Sequence, residues 1–266
     1  MPATCPYNIP VVALPPQQVN GFSWGPPIRP LSRDEGKNWT HLHTFPEPVI
    51  SLLVVGQHLY VGLAWSDHMQ PSGVFKSNLG AGNPAFHAFG PGHTGLIVWT
   101  LAHDPVSGEL YAGTEIFDHP KPYHPPFFRS NNGGVTWANV AGTLPWHVIR
   151  AAVRPTDGYV YALTEGAGLF GSADKGTTWL PPSPADSPSI CLLIHPKKPK
   201  HLIGGKQKTG PVGGGVLLSK DEGKAFSSIG LGPVTVSGVA VNGSATRLYA
   251  VAYASGIYTS PIPASA

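Results

Sequence analysis

Two glutamates close matching segments of the chain: LYAGTE ends on Glu115 and VYALTE ends on Glu165. Carboxylates brought together in a cleft raise one another's proton affinity, which leaves one an acid and the other a base, as general acid–base chemistry requires. Arg150 lies in the apolar run VIRAAV. Its planar fork there can clamp a carboxylate or phosphate through two oxygens, or simply pair with Glu115 or Glu165. Twelve histidines are many for a chain of 266 residues, and His68, His93, His119, His124 and His147 fall near Asp67 and Asp118 in loop-like stretches. Such a nitrogen and oxygen set suits a divalent transition metal, zinc before calcium or magnesium, because neutral imidazole is a softer ligand than carboxylate. The HPKPYH spacing matches no metal motif, so solvated loop histidines stay as the alternative. Trp65, Tyr123 and Trp146 sit beside these groups. Their flat faces can stack on a sugar ring, or pack at the edges of strands.

Something rigid has to hold these residues, and composition says it is not helix. The chain carries 33 Gly and 30 Pro, the residues least compatible with helix interiors, so it is cut into short segments joined by tight turns. Its 41% hydrophobic and 10% aromatic content is too apolar for a disordered chain. One all-β domain over residues 1–266 is the expectation. Net charge is +3 and the basic residues are scattered apart from Lys197, Lys198, Lys200, Lys206 and Lys208, so no nucleic-acid stripe is present. No window approaches the roughly 18 apolar residues of a membrane span. The first residues lack a basic n-region and are broken by Pro10, Pro15 and Pro16, so a soluble, cytoplasmic protein without a signal peptide is expected. Two cysteines make no disulfide framework, and Cys191, inside an apolar run, reads as a buried free thiol.

A repeat runs through the whole length. SRDEGKNW from Ser32 recurs as SNNGGVTW from Ser130, SADKGTTW from Ser172 and SKDEGKAF from Ser219, and the pattern is S-x-D/N-x-G-x-x-W/F. Decayed copies begin at Ser77 and Ser260, so successive serines stand 45, 53, 42, 47 and 41 residues apart. Upstream of each lies an apolar run and then a Leu/Val-Tyr-Ala/Val segment. Each unit therefore reads as a four-stranded meander in which the box is the turn between the last two strands.

With Asp34, Asp174 and Asp221 in place and Asn132 substituting in a fourth box, the chain resembles the Asp-box (BNR repeat) β-propellers. That group includes sialidases, xyloglucanases, a photosystem II assembly factor and lectins. The resemblance implies a six-bladed propeller, with the runs at 9–16 and 19–24 opening a first blade of their own and residues 1–7 closing the ring; five blades is the alternative. It also implies that box turns lie on one face and ligand loops on the other. The ends of the second strands then ring the channel mouth with Gly25, Ala64, Glu115, Glu165, Lys206 and Tyr253. Six dissimilar residues point to one asymmetric site, where a lectin with a sugar in each blade would repeat its residues. The reading is an enzyme, a hydrolase or lyase, acting on a small polar or carbohydrate-like substrate. Glu115, Glu165, Arg150, Tyr253 and Lys206 carry its chemistry, Trp65, Tyr123 and Trp146 hold the substrate, and His68, His119, His124 and His147 offer a metal site. A non-catalytic binding or assembly propeller and a carbohydrate-binding lectin are the alternatives. No nucleophile elbow, P-loop, dinucleotide fingerprint or C-x-x-C pair is present, and six arginines with only Arg150 near the channel do not make a sialidase site.

Overall fold

The structure is a computed structural model that describes residues 28–31, 38, 40–45, 47, 49–64, 73–80, 86–88, 96–116, 127–180, 187–211 and 213–262. Every regular element among them is a strand, and every sheet is an antiparallel meander. Strands β1 (Ile28–Leu31) and β2 (Thr40–Thr44) pair across the Asp34 box. The first complete blade is β3 (Val49–Val55), β4 (His58–Leu63), β5 (Val74–Asn78) and β6 (His87–Ala88). The second runs from β7 (Leu96–His103) through β8 (Leu110–Ile116) and β9 (Phe127–Ser130) to β10 (Ala138–Asn139). Next come β11 (Val148–Val153), β12 (Val160–Thr164) and β13 (Gly168–Ser172), with Leu180 bridging to Gly171 as a vestigial fourth strand. A further four-stranded blade holds β14 (Cys191–Ile194), β15 (Leu202–Lys206), β16 (Gly215–Ser219) and β17 (Ser227–Gly230). The last sheet is β18 (Val236–Val241), β19 (Arg247–Ala252) and β20 (Gly256–Pro261). The runs expected to open a first blade, 9–16 and 19–24, lie outside the described residues. None of the described helical content approaches a membrane span, since no helix is long and apolar enough to cross one.

The box motif folds as its residue types dictate. Buried Ser172 accepts hydrogen bonds at Oγ from the Gly176 amide at 2.8 Å and the Asp174 amide at 3.3 Å, and donates to Asp174 Oδ1 at 2.8 Å. Asp174 in turn accepts from Thr178 N at 2.8 Å and Thr178 Oγ1 at 2.6 Å. The same geometry recurs at Ser130/Asn132/Gly134 and at Ser219/Asp221/Gly223. Asn132 keeps the Oδ1 acceptor, and its Nδ2 donates to Thr136 Oγ1 at 2.8 Å where Asp174 Oδ2 accepts from the Thr178 hydroxyl. Lys175 and Gly176 sit at φ 61° and 88°, so the turn needs two left-handed residues in a row, and glycine takes the second at no steric cost. In the decayed copy at Ser77 the hydroxyl is buried with no hydrogen-bond partner.

Blades are stitched to their neighbours in two ways. Apolar clusters cross the boundaries, as where Tyr111 and Phe127 of one blade pack with Val160, Phe170 and Trp179 of the next. The inner strands add hydrogen bonds of their own. Each carries one extra residue near its start: Ile50, Trp99, Ile149 and Ser237 break the registers of β3, β7, β11 and β18. Before β14 the Ser189 and Ile190 amides both donate to the Gly205 carbonyl, the same count of two against one. The residue after each bulge then points at the next inner strand. Ser51 Oγ donates to Val98 O at 2.8 Å, Thr100 Oγ1 accepts from Ala151 N at 3.1 Å, and Cys191 Sγ donates to Val236 O at 3.8 Å. Arg150 and Gly238 are the two exceptions in this series.

Candidate active site

The mouth of the ring is built where second strands end and inner strands begin. Glu115 stands at the end of β8, Glu165 just past β12, and His147 just before β11, where the Glu165 amide donates to its carbonyl at 3.2 Å. These three side chains meet. His147 Nε2 lies 2.6 Å from Glu165 Oε2 and 3.7 Å from Glu115 Oε2. Both carboxylates thus converge on one imidazole nitrogen, and those two legs keep Glu115 Oε2 and Glu165 Oε2 no more than 6.3 Å apart. Trp99, the bulge residue of β7, completes the group. Its indole Nε1 donates to Glu115 Oε2 at 2.9 Å, and its ring lies parallel to His147 with centroids 6.3 Å apart and 17° between planes.

Burial orders the three titratable groups by depth. The His147 side chain is 8% exposed, Glu115 22% and Glu165 66%. Glu165 therefore reaches the open mouth, while His147 is walled in behind it. With one Glu165 oxygen tied to the imidazole, the other is presented outward. A carboxylate so placed can take a proton from a ligand while His147 holds its position. Carboxylate oxygens that both reach one nitrogen stand closer than the roughly 6.5–9.5 Å an inverting glycosidase leaves for its water. The chemistry this group supports is proton transfer through a Glu–His pair.

Arg150 follows the bulge of β11 and reaches back to the preceding blade. Its Nη1 donates to the Ile149 carbonyl at 2.6 Å and to the Trp99 carbonyl at 3.4 Å. Burial lowers its pKa, and among the described residues no carboxylate lies within ion-pair distance. The plainer expectation, pairing with Glu115 or Glu165, is not what the structure shows; both glutamates turn to His147. On the other side of Arg150 lies Cys191, a buried free thiol whose pKa burial pushes up to about 11.

The remaining expected residues are dispersed. Trp146 is 52% exposed beside His147, and Tyr253 is 58% exposed at the end of the last blade, so neither is packed into the Glu–His group. Lys206 ends β15, in the blade after the one that carries Glu165. Trp65, Tyr123, His68, His119 and His124 lie outside the described residues. Among the described residues no three His, Cys, Asp or Glu side chains are grouped to hold a metal ion, and His147 is engaged by carboxylates. Trp99 is the residue that sequence reasoning missed. Its signal is a tryptophan at the bulge position, where the equivalents are Ile50, Ile149, Ile190 and Ser237.

No family model matches the chain and no curated protein matches it in sequence. Solved structures do match it in three dimensions. A GH74 enzyme of Niastella koreensis is similar over 80% of this chain and 35% of its own, with a TM-score of 0.64 and 17% identity. YCF48 bound to a D1 peptide is similar over 88% of this chain and 72% of its own, at a TM-score of 0.62 and 15% identity. YCF48 from Cyanidioschyzon merolae gives 0.60 at 13% identity, covering 91% and 78%. The chain thus spans about a third of the GH74 enzyme's length and most of YCF48's. Repeated box turns, bulged inner strands and these neighbours together make the chain a β-propeller of the Asp-box kind.

Proposed function

We propose that the protein is a proton-transfer enzyme, a hydrolase or lyase, acting on a small polar or carbohydrate-like substrate at the mouth of the propeller. The observation that carries this is His147 Nε2 held 2.6 Å from an exposed glutamate and 3.7 Å from a second, more buried one. Glu165 is the catalytic residue, since its side chain alone of the three opens to the mouth. His147 and Glu115 are positioning residues, the first orienting Glu165, the second meeting the same imidazole nitrogen and itself held by Trp99.

The test is a substrate screen on the purified protein followed by Glu165→Gln. Loss of a general acid or base removes roughly 10²–10⁴-fold of rate, and the amide should leave ligand-induced thermal stabilisation intact. Turnover unchanged in both Glu165→Gln and Glu115→Gln ends the catalytic reading.

A second reading is favoured by one observation: the chain covers 72% of a YCF48 structure with bound D1 peptide but 35% of the GH74 enzyme. On that reading the mouth binds a peptide segment without chemistry. Tight binding by a peptide that Glu165→Gln weakens, with no turnover by any screened substrate, would select it.

A further inference from the structure

Two arginines four residues apart differ in what fills their forks. Arg154 points Nε at Asp157 Oδ1 and Nη2 at Asp157 Oδ2, both at 2.7 Å, which is the side-on bidentate arrangement of guanidinium and carboxylate. Its Nη1 adds Tyr161 Oη at 3.3 Å and Glu222 Oε1 at 3.3 Å. Arg150 spends Nη1 alone, on the carbonyls of Ile149 and Trp99. Its Nε and Nη2, the same edge that Arg154 closes on a carboxylate, meet no described residue, and neither nitrogen is sealed from solvent. We infer that this edge of Arg150 is a binding site for the carboxylate of a small organic acid, seated beside the Glu115–His147–Glu165 group.

Three considerations support the assignment. A half-buried cation without an anion is costly, and burial weakens its hold on the proton; a bound anion removes that cost. The equivalent positions in neighbouring inner strands, Ser51, Thr100 and Cys191, all use short side chains to pin one blade to the next. Arg150 breaks that pattern by placing a long charged one where a hydroxyl or thiol would serve the fold. Trp99 joins the two halves of the site, because its carbonyl anchors Arg150 while its indole anchors Glu115. The clamp is therefore fixed relative to the proton-transfer group by a single rigid residue. The neighbourhood also selects the charge of the ligand. One guanidinium matches the charge of a monoanion, whereas a phosphate monoester, at about −1.5 to −2 near neutral pH, carries more charge than a single fork can balance.

This inference rests on the preceding reading only for the location of the reacting end, and the two fail separately. The probe is formate, the smallest carboxylate that fits the fork whatever the rest of the ligand is, titrated against the full chain at constant ionic strength with chloride as the reference. Near ten times its dissociation constant, formate should raise Tm by about 2–4 °C over chloride. Arg150→Gln should abolish the rise, and Glu165→Gln should keep it. Arg150→Lys, which retains the charge and loses the fork, guards against misfolding of the glutamine variant and should cut the apparent affinity at least several-fold. A saturable rise in both Arg150 variants equal to wild type, no rise over chloride in wild type, or inorganic phosphate binding more tightly than formate would each overturn the carboxylate clamp. A formate response that survives while Glu165→Gln leaves turnover unchanged overturns only the catalytic reading.

Discussion

The two faces of each blade obey different rules. At the foot, three box turns reproduce the same hydrogen bonds within about 0.2 Å, the glycine amide donating to Ser Oγ at 2.9, 2.8 and 2.9 Å. At the mouth, the second strands of the four complete or nearly complete inner blades end on Ala64, Glu115, Glu165 and Lys206, three different residue types of which only the two glutamates share a partner, His147. A turn that must reverse the chain and satisfy buried amides has one economical solution, so its sequence repeats. A position whose side chain faces an open mouth is released from that constraint. Divergence at the mouth is thus where selection for a ligand can act, and it concentrates in two adjacent blades.

The support beneath the mouth is the most sensitive place to break this contrast. Gly113 of β8 faces Thr100 and the Val148 carbonyl across the blade boundary, and any Cβ there drives into that carbonyl oxygen. Gly113→Val should cost roughly 2 kcal/mol or more from overpacking, read from the urea midpoint, and should loosen Glu115 two residues on. A neutral effect would mean that the blades are not packed as described.

At the foot the effects are smaller and opposite in two copies of one motif. Ser172→Ala leaves the Gly176 and Asp174 amides without their acceptor and should cost about 1–3 kcal/mol. Ser77→Ala removes a buried hydroxyl that already has no partner, so its midpoint should stay within about 0.5 kcal/mol of wild type or rise. Equal losses at the two serines would refute the claim that the Ser77 box has decayed.

Smaller still is the contribution of the box carboxylate as a charge. Hydrogen bonds from the Thr178 hydroxyl first, then from the Thr178 amide and Ser172, hold Asp174 down to about 2. A carboxyl with its folded pKa below the unfolded one adds stability that is present above about pH 4 and lost as pH falls toward 2. Asp174→Asn, which mimics Asn132, should lower Tm slightly at pH 7, where the charge contributes, and flatten its decline between pH 4 and 2. An unchanged acid slope would show that other carboxylates set it.

Much of the fold was legible because the box and the Leu/Val-Tyr-Ala/Val segments repeat with the chain. Even the residues placed opposite one another in the inner strands, Ser51, Thr100, Arg150, Cys191 and Gly238, occupy the same position after the bulge. Glu115 and Glu165 were visible for the same reason. That both would meet on His147 was not. His147 drew attention as a candidate metal ligand, and nothing in PWHVIR says that its ring turns toward two carboxylates contributed by strands on either side. Trp99 was hidden because a bulge residue falls outside the alternation that marks strands, and Arg150 looked like an ion-pair partner because its fork cannot be seen in a sequence. Blade number stays an expectation of six, since the runs that would open the first blade lie outside the described residues.

The central claim is that His147 and Glu165 form one hydrogen-bonded acid–base unit, and it can be tested without knowing the substrate. Proton NMR of the full chain with ¹⁵N-labelled histidine should show one Nε2 proton far downfield and protected from exchange. That signal should vanish in Glu165→Gln, persist in Glu115→Gln with a changed shift, and disappear in His147→Gln. A His147 Nε2 proton that exchanges freely with water, or one that is indifferent to Glu165→Gln, would contradict the account.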